Sequence, residues 1–121
     1  MILQDVQAKL EQIDPEVHYG SAAKFDREKA WDYTVFSRRV MNSNKSKTGY
    51  ADVFEVCLVR EMFIPDGLAE QVIDALTGDG GIPGMRVSDS EFKYDYAVKP
   101  DTADTVEMLV LEFVKPRKRN V

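Results

Sequence analysis

The chain contains one cysteine and one histidine in 121 residues. A single cysteine, Cys57, excludes an internal disulfide and any metal site built from several cysteines. The sequence offers the single histidine, His18, none of the partners of a catalytic histidine: it has no second histidine, no serine nucleophile signature and no cysteine nearby in the sequence. We interpret His18 as a surface or edge residue and Cys57 as a small apolar side chain within a strand. The sequence therefore predicts no catalytic residue, no metal site, no cofactor and no enzyme activity.

Long apolar runs are also missing. No stretch approaches the roughly 18 apolar residues that a membrane span requires. The N-terminal segment "MILQDVQAKLEQ" carries acids and has no apolar run, so we expect no signal peptide, no membrane association and a cytoplasmic protein. The length of 121 residues and the apolar share of 44% suit a single domain over residues 1–121.

Acidic residues are absent from one long segment of an otherwise acidic chain. No acid lies between Tyr33 and Ala51, and residues 38–48 form a polar basic loop. A second basic segment without acids is the C-terminal tail, residues 115–121. These two segments carry eight of the 16 basic residues, while the net charge of the chain is −5. The loop cations are Arg38, Arg39, Lys45 and Lys47, and the tail cations are Lys115, Arg117, Lys118 and Arg119.

The basic loop has three possible interpretations. A nucleotide site fails, because the loop "NSNKSKTG" lacks the glycine that must precede the lysine of a phosphate loop. A solvated hairpin tip is the plainest alternative. The third is a cation cluster that faces phosphate or an acidic partner surface, although the acidic balance of the chain does not suit a free-standing DNA-binding domain.

Hydrophobic periodicity predicts two helices, one over residues 2–13 and one that begins at Pro65 and stops before Gly78. Alternation and turn clusters predict strands over residues 31–41, 50–63, 91–98 and 105–114, with a short extended piece at 16–20. The strand at 91–98 reads as half-buried, and the tail at 115–121 reads as loose. The fold class is α+β: an antiparallel sheet with two amphipathic helices on one face, in the order helix, strands, helix, hairpin.

The strand at 50–63 is apolar on both sides, which is typical of a central or partner-covered strand. We expect the side that carries Val53, Cys57, Val59 and Phe63 to be left for a neighbouring subunit, and ring formation would bury such a patch. The tail cations are predicted to dock on the acidic body of the next subunit.

Five segments in order, "LQDVQAKLEQIDPEVHYG", "KTGYADVFEVCLVREMFIPDGL", "IPGMR", "YDYAVKP" and "VEMLVLEFVKPRKR", carry a resemblance over nearly the whole chain. The chain resembles small proteins from the tail-gene region of long-tailed phages and prophages of Gram-positive bacteria. Its element order is also similar to that of tail terminator, or tail-completion, proteins.

This resemblance implies a structural virion protein in the tail, present in the host cytoplasm during assembly. Tail terminators form hexameric homo-oligomeric rings that cap the tail tube, stop its growth and join the head through connector proteins, while DNA passes non-specifically through the ring. Arg38, Arg39, Lys45 and Lys47 are then candidates to face the DNA channel. Two alternatives stay open: an adaptor in the head–tail connector, and a monomeric module that binds an anionic partner such as nucleic acid.

Overall fold

The computed structural model describes residues 2–21, 31–43, 49–88 and 91–118. In this part of the chain two helices accompany one mixed sheet of six strands, which confirms the α+β class. The elements in chain order are α1 (Ile2–Glu11), β1 (Val17–Tyr19), β2 (Tyr33–Ser43), β3 (Gly49–Glu61), α2 (Leu68–Thr77), β4 (Arg86–Val87), β5 (Tyr94–Val98) and β6 (Thr105–Lys118).

The sheet is built around β3, which pairs with β2 over residues 50–59 on one side and with β6 along its whole length on the other. The strand order is β1-β2-β3-β6-β4, and β5 also pairs with β6. All pairs are antiparallel except β1 with β2, which is parallel, so the expectation of a purely antiparallel sheet is wrong for this pair. The physical reason is the long connection over residues 20–32, because strands joined by a crossover can run parallel whereas those joined by a tight hairpin cannot.

The core lies between the helices and the sheet. Cross-strand neighbours such as Phe36, Val56 and Leu111 share one register row and are buried to 2% exposure or less. They belong to one cluster with Val6 of α1 and Leu76 of α2. Burying an apolar side chain of this size contributes roughly 1.5–3 kcal/mol, so this cluster is the main source of stability.

Two predicted boundaries shift because of backbone conformation. The strand predicted to reach residue 63 ends at Glu61, where Met62 turns the chain with a φ of 69° and leaves Met62 and Phe63 exposed. The second helix begins at Leu68, not at Pro65, after Gly67 with a φ of 88°. Only glycine adopts such a φ at little cost, which explains why the helix begins directly after this residue.

The C-terminal strand is longer than predicted. Residues 115–118 were expected to be a loose tail, but β6 continues to Lys118 and stays paired with β3. Pro116 lies opposite Ala51, beyond the last residue of β6 that β4 reaches, Val114. A strand tolerates proline where the missing N–H faces an unpaired side, and this explains why the strand continues through it.

The strand predicted to be half-buried, β5, is exposed. Tyr94, Tyr96 and Val98 keep 54%, 58% and 63% of their surface accessible. The helices contact β1 and β4, and β5 lies on the far end of β6 from β4. The alternation of residues 91–98 correctly indicated a strand but could not indicate whether a layer covers it. The two-residue strand β4 was not predicted at all, because its segment reads as a glycine-rich connector.

One buried polar cluster fixes the chain between α1 and the sheet. The Asp14 carboxylate accepts a hydrogen bond from Thr34 Oγ1 and another from Arg60 Nη2, both at 2.8 Å. Arg60 Nη1 also donates to the carbonyls of Tyr33 and Val59. Asp14 and Thr34 are 4% and 1% exposed, so each polar group is taken from water and satisfied by protein partners.

Candidate functional site: a basic arm

The described parts of the two basic segments lie on either side of β3 at one end of the sheet. Residues 38–43 of β2, 49–54 of β3 and 113–118 of β6 form a three-stranded end, here called the basic arm. Met41 lies opposite Asp52, which lies opposite Lys115; further along the arm, Tyr50 pairs with Arg117. The backbone of the arm carries five cationic residues and one acidic residue, Asp52. Cationic residues that are far apart in the sequence therefore share one end of the sheet. The five cations are Arg38, Arg39, Lys115, Arg117 and Lys118.

A β-bulge at the base of the arm separates the surroundings of two neighbouring arginines. The register of β2 against β3 shifts between Arg38 and Val40. Arg39 forms ion pairs with Glu112 at 2.7 Å and with Glu55 at 3.5 Å. Arg38 is exposed, and no ion pair is found for it among the described residues. Bulges re-aim side chains in this way, so the charge of Arg38 is directed to solvent while that of Arg39 is largely balanced.

The structure places the predicted channel residues as follows. Arg38 and Arg39 lie in β2, not in a loop, because β2 extends to Ser43. Lys45 and Lys47 lie outside the described residues. Lys115 lies in the same arm as Arg38 and Arg39, on the other side of β3, although the sequence assigned Lys115 to a different partner. One partner that reaches the arm would therefore meet both sets of cations.

The predicted subunit-contact residues differ in exposure. Val53 and Val59 are 7% and 3% exposed within the single chain, which leaves little surface for a neighbour to bury. Both lie on the central strand β3, where side chains of the two flanking strands cover them. Cys57 is half-buried, whereas Phe63 is 64% exposed. The tail cation Arg119 lies outside the described residues.

Three groups among the described residues have shifted pKa values. The pKa of Glu61 is lowered, first by the hydrogen bond from Lys99 at 2.7 Å and then by the backbone N–H of Trp31 at 2.9 Å. The pKa of Tyr96 is raised, chiefly by its hydrogen bond to Glu107. Burial raises the pKa of the Cys57 thiol, and the nearby Glu55 raises it further. A thiol with a raised pKa is mostly protonated near neutral pH, which does not suit a nucleophile.

Acidic side chains line an open groove beside β6, with a volume of about 430 Å³. Arg39, Glu55 and Glu112, which form ion pairs with one another, are among the residues that line this groove. A second, smaller depression of about 160 Å³ lies at the bulge and includes Arg38. Both are open to solvent, whereas sites for small organic ligands are mostly concave and enclose most of the ligand. The carboxylates of the larger groove are those of Glu55, Glu91, Asp95 and Glu112.

In the described part of the chain, no group of three or more His, Cys, Asp or Glu side chains is arranged to bind a metal ion. Among the same residues, no helix has the length and apolar character to cross a membrane. What the described site offers is charge and an open surface.

Sequence reasoning missed the basic arm because it depends on strand register. Residues 38–39 and 115–118 are more than 70 positions apart, and only the pairing of both β2 and β6 with β3 brings them together. The proline at 116 marked the end of the predicted strand and hid the pairing. One signal was present: residues 109–114, which are Leu, Val and Phe apart from Glu112, lead directly into the basic residues without a turn residue before Pro116.

Comparison with families of known proteins gave no match to this chain, and comparison with curated protein sequences gave none either.

Proposed function

We propose that this protein is a structural component of a phage tail: a ring-forming tail terminator at the head-proximal end, which stops growth of the tail tube and joins it to the head. The observation that supports this best is the basic arm. An acidic body with one concentrated basic end suits a subunit that points its cations toward DNA inside an assembly. The resemblance noted from the sequence supplies the biological setting.

The role proposed for the arm is non-specific attraction of phosphate. Arg38 is exposed, and Lys115 and Arg117 occupy neighbouring register positions, so several cations share one end of the sheet. Contacts of this kind carry no sequence information and weaken steeply with salt. This is the behaviour that a channel needs if DNA is to pass through it.

The finer architecture belongs to this proposal. In this proposal, the side of the sheet that packs against α1 and α2 is the interior of each subunit and does not contact a neighbouring subunit. Hexameric assembly, contact with the tail-tube protein and with connector proteins, and a place in the virion tail are parts of the same proposal. An adaptor in the head–tail connector would share these properties and is the nearest alternative of the same kind.

The decisive experiment is negative-stain microscopy of the purified protein, alone and mixed with tail tubes. The expected result is rings, on tube ends at the least, together with tubes of uniform length. Light scattering that shows only monomers at high concentration, with tubes neither capped nor limited in length, would contradict the proposal.

A second candidate function is a monomeric module that binds nucleic acid through the basic arm, and the density of cations in the arm favours it. The two candidates differ in salt dependence. A gel shift on double-stranded DNA that persists at about 0.2 M salt, with the protein monomeric, would favour the module, because a few weak phosphate contacts fade at that ionic strength.

A further inference from the structure

The strand β5 has one apolar face and one charged face, and both are exposed. Tyr94, Tyr96 and Val98 alternate with Lys93 and Asp95 along the segment. In the described part of the chain, β5 pairs only with β6, so its other edge carries no strand. An exposed edge with apolar side chains is a place where another strand pairs.

The backbone shows which groups this edge presents. The N–H of Tyr96 donates to Oδ1 of its own neighbour Asp95 at 2.9 Å, which indicates that it points away from β6. Backbone groups alternate in direction along an antiparallel strand, so the N–H and C=O of Tyr94 point to the same free side. A partner strand must therefore place outward-pointing residues opposite Tyr94 and Tyr96.

We propose that β5 pairs with β5 of a second copy of this chain, antiparallel, with a twofold axis through Tyr94. In this register each Lys93 lies opposite Asp95 of the second copy, so two pairs of opposite charges form. The outward backbone groups of Tyr94 meet those of Tyr94 in the second copy. When the pairing continues beyond the first residue of β5, Tyr96 comes opposite Phe92, which precedes the strand and packs partly against the core.

Charge distinguishes this register from its neighbours. A twofold axis through Asp95 would set the two Asp95 carboxylates opposite each other. An axis through Tyr96 would set Lys93 opposite Lys99 and Glu91 opposite Asp101. Like charges directly opposite destabilise a strand pair, whereas opposite charges stabilise it. An axis through Asp95 also sets Glu91 opposite Lys99, but the two Asp95 carboxylates still meet. Of these three registers, which all match the backbone direction, only the one centred on Tyr94 has opposite charges facing each other and no like charges facing each other.

Pairing also replaces a local contact with a better one. In the single chain, the Asp95 carboxylate satisfies the N–H of Tyr96. In the pair, that N–H donates to the Phe92 carbonyl of the second copy, and the carboxylate becomes available to Lys93 across the interface. Each copy thus satisfies an edge donor with a backbone acceptor and gains a charge pair.

This inference goes beyond the proposed function. A contact with a twofold axis closes on itself and does not build a ring, because rings require two unlike surfaces. The pair is therefore a state of the free protein, separate from the ring on the tail.

The test uses sedimentation velocity over a concentration series at low salt, on the full chain and three variants. Asp95→Lys places Lys opposite Lys, and Lys93→Asp places Asp opposite Asp, so each is expected to raise the dissociation constant of the dimer at least about tenfold. The double variant Lys93→Asp/Asp95→Lys restores opposite charges at both positions and is expected to regain dimerisation. Glu11→Lys, at an exposed site at the end of α1, is the control for the net-charge change of Asp95→Lys.

Each result decides the question. A dimer lost in both single variants and recovered in the double variant supports the pairing. Monomers at every concentration, or a dimer that is indifferent to these changes, would overturn it, and so would a double variant as weak as the single ones. Thermal unfolding of each variant confirms that the chain is folded. Rings on tube ends are scored separately, so failure of the pair and failure of the proposed function are distinguishable.

Discussion

Removal of the Asp14 carboxylate is expected to lower the free energy of unfolding by about 3 kcal/mol. Asp14 is 4% exposed and is the counter-charge of Arg60, whose side chain is 13% exposed. Removing one partner of a buried ion pair costs roughly 3–5 kcal/mol, because the other charge is left in a poorly solvated place. Arg60 keeps two carbonyl acceptors and some contact with water, which places the expected value at the lower end.

Asp14→Ala also leaves the hydroxyl of Thr34 without its acceptor, and Thr34→Val serves as the matched control. Thr34→Val removes only the neutral hydrogen bond at 2.8 Å, so we expect a loss of about 1 kcal/mol. Equilibrium unfolding in urea measures both, with the midpoint and the slope fitted together.

A double-mutant cycle tests the cause. Arg60→Met alone is expected to destabilise the protein, but Asp14→Ala/Arg60→Met is expected to be more stable than the sum of the single changes by about 2 kcal/mol, because neither charge then remains alone. Strict additivity, or a loss below about 1 kcal/mol for Asp14→Ala, would refute the reasoning that this pair is energetically coupled.

Three further predictions concern the charged and titratable side chains. Because the hydrogen bond from Lys99 lowers the folded-state pKa of Glu61, the carboxylate stabilises the protein fully above its unfolded-state pKa, and this contribution disappears as the pH falls through the folded-state pKa. When the pH is lowered below the ordinary pKa of Glu, the melting temperature should therefore fall less for Glu61→Gln than for the unmodified chain. Parallel curves of melting temperature against pH would contradict this. Because burial raises the pKa of Cys57, its reaction with a disulfide reagent at pH 8 should be several-fold slower in the folded protein than in urea, and equal rates would contradict this. If the basic arm binds DNA, Arg38→Ala should reduce the slope of log affinity against log salt by about 0.9, while Arg39→Ala should reduce it less because of its ion pairs, which fluorescence anisotropy can measure; the reverse order would contradict this assignment.

The sequence predicted those parts of the fold that depend on local pattern. The α+β class, both helices and the long strands followed from periodicity and turn residues, because the spacing of apolar side chains reflects local geometry. The hairpin before β6 was also readable: its polar turn is held by the N–H of Lys99, which donates to the carbonyl of Asp104 at 2.9 Å.

The features that failed depend on distant partners. The parallel pairing of β1 with β2 depends on β1 lying at the free edge of β2. The extension of β6 through Pro116 depends on its register with β3. The burial of Val53 and Val59 follows from strands on both sides. None of these is encoded in the spacing of neighbouring residues, and the basic arm depends on two of the same pairings, so the candidate site could only be seen once the fold was known. The phage-tail function stays a prediction.

The order of the strands also sets when this chain can fold. The central strand β3 is complete at residue 61, but its partner β6 begins at residue 105 and ends at residue 118. During synthesis β3 therefore leaves the ribosome with one long edge unpaired, and this edge can be paired fully only after more than 50 further residues have been made. Pairing over such a separation is slow, and an apolar strand left waiting is open to aggregation. We expect the yield of soluble protein to depend on chaperones and on the speed of translation between α2 and β6.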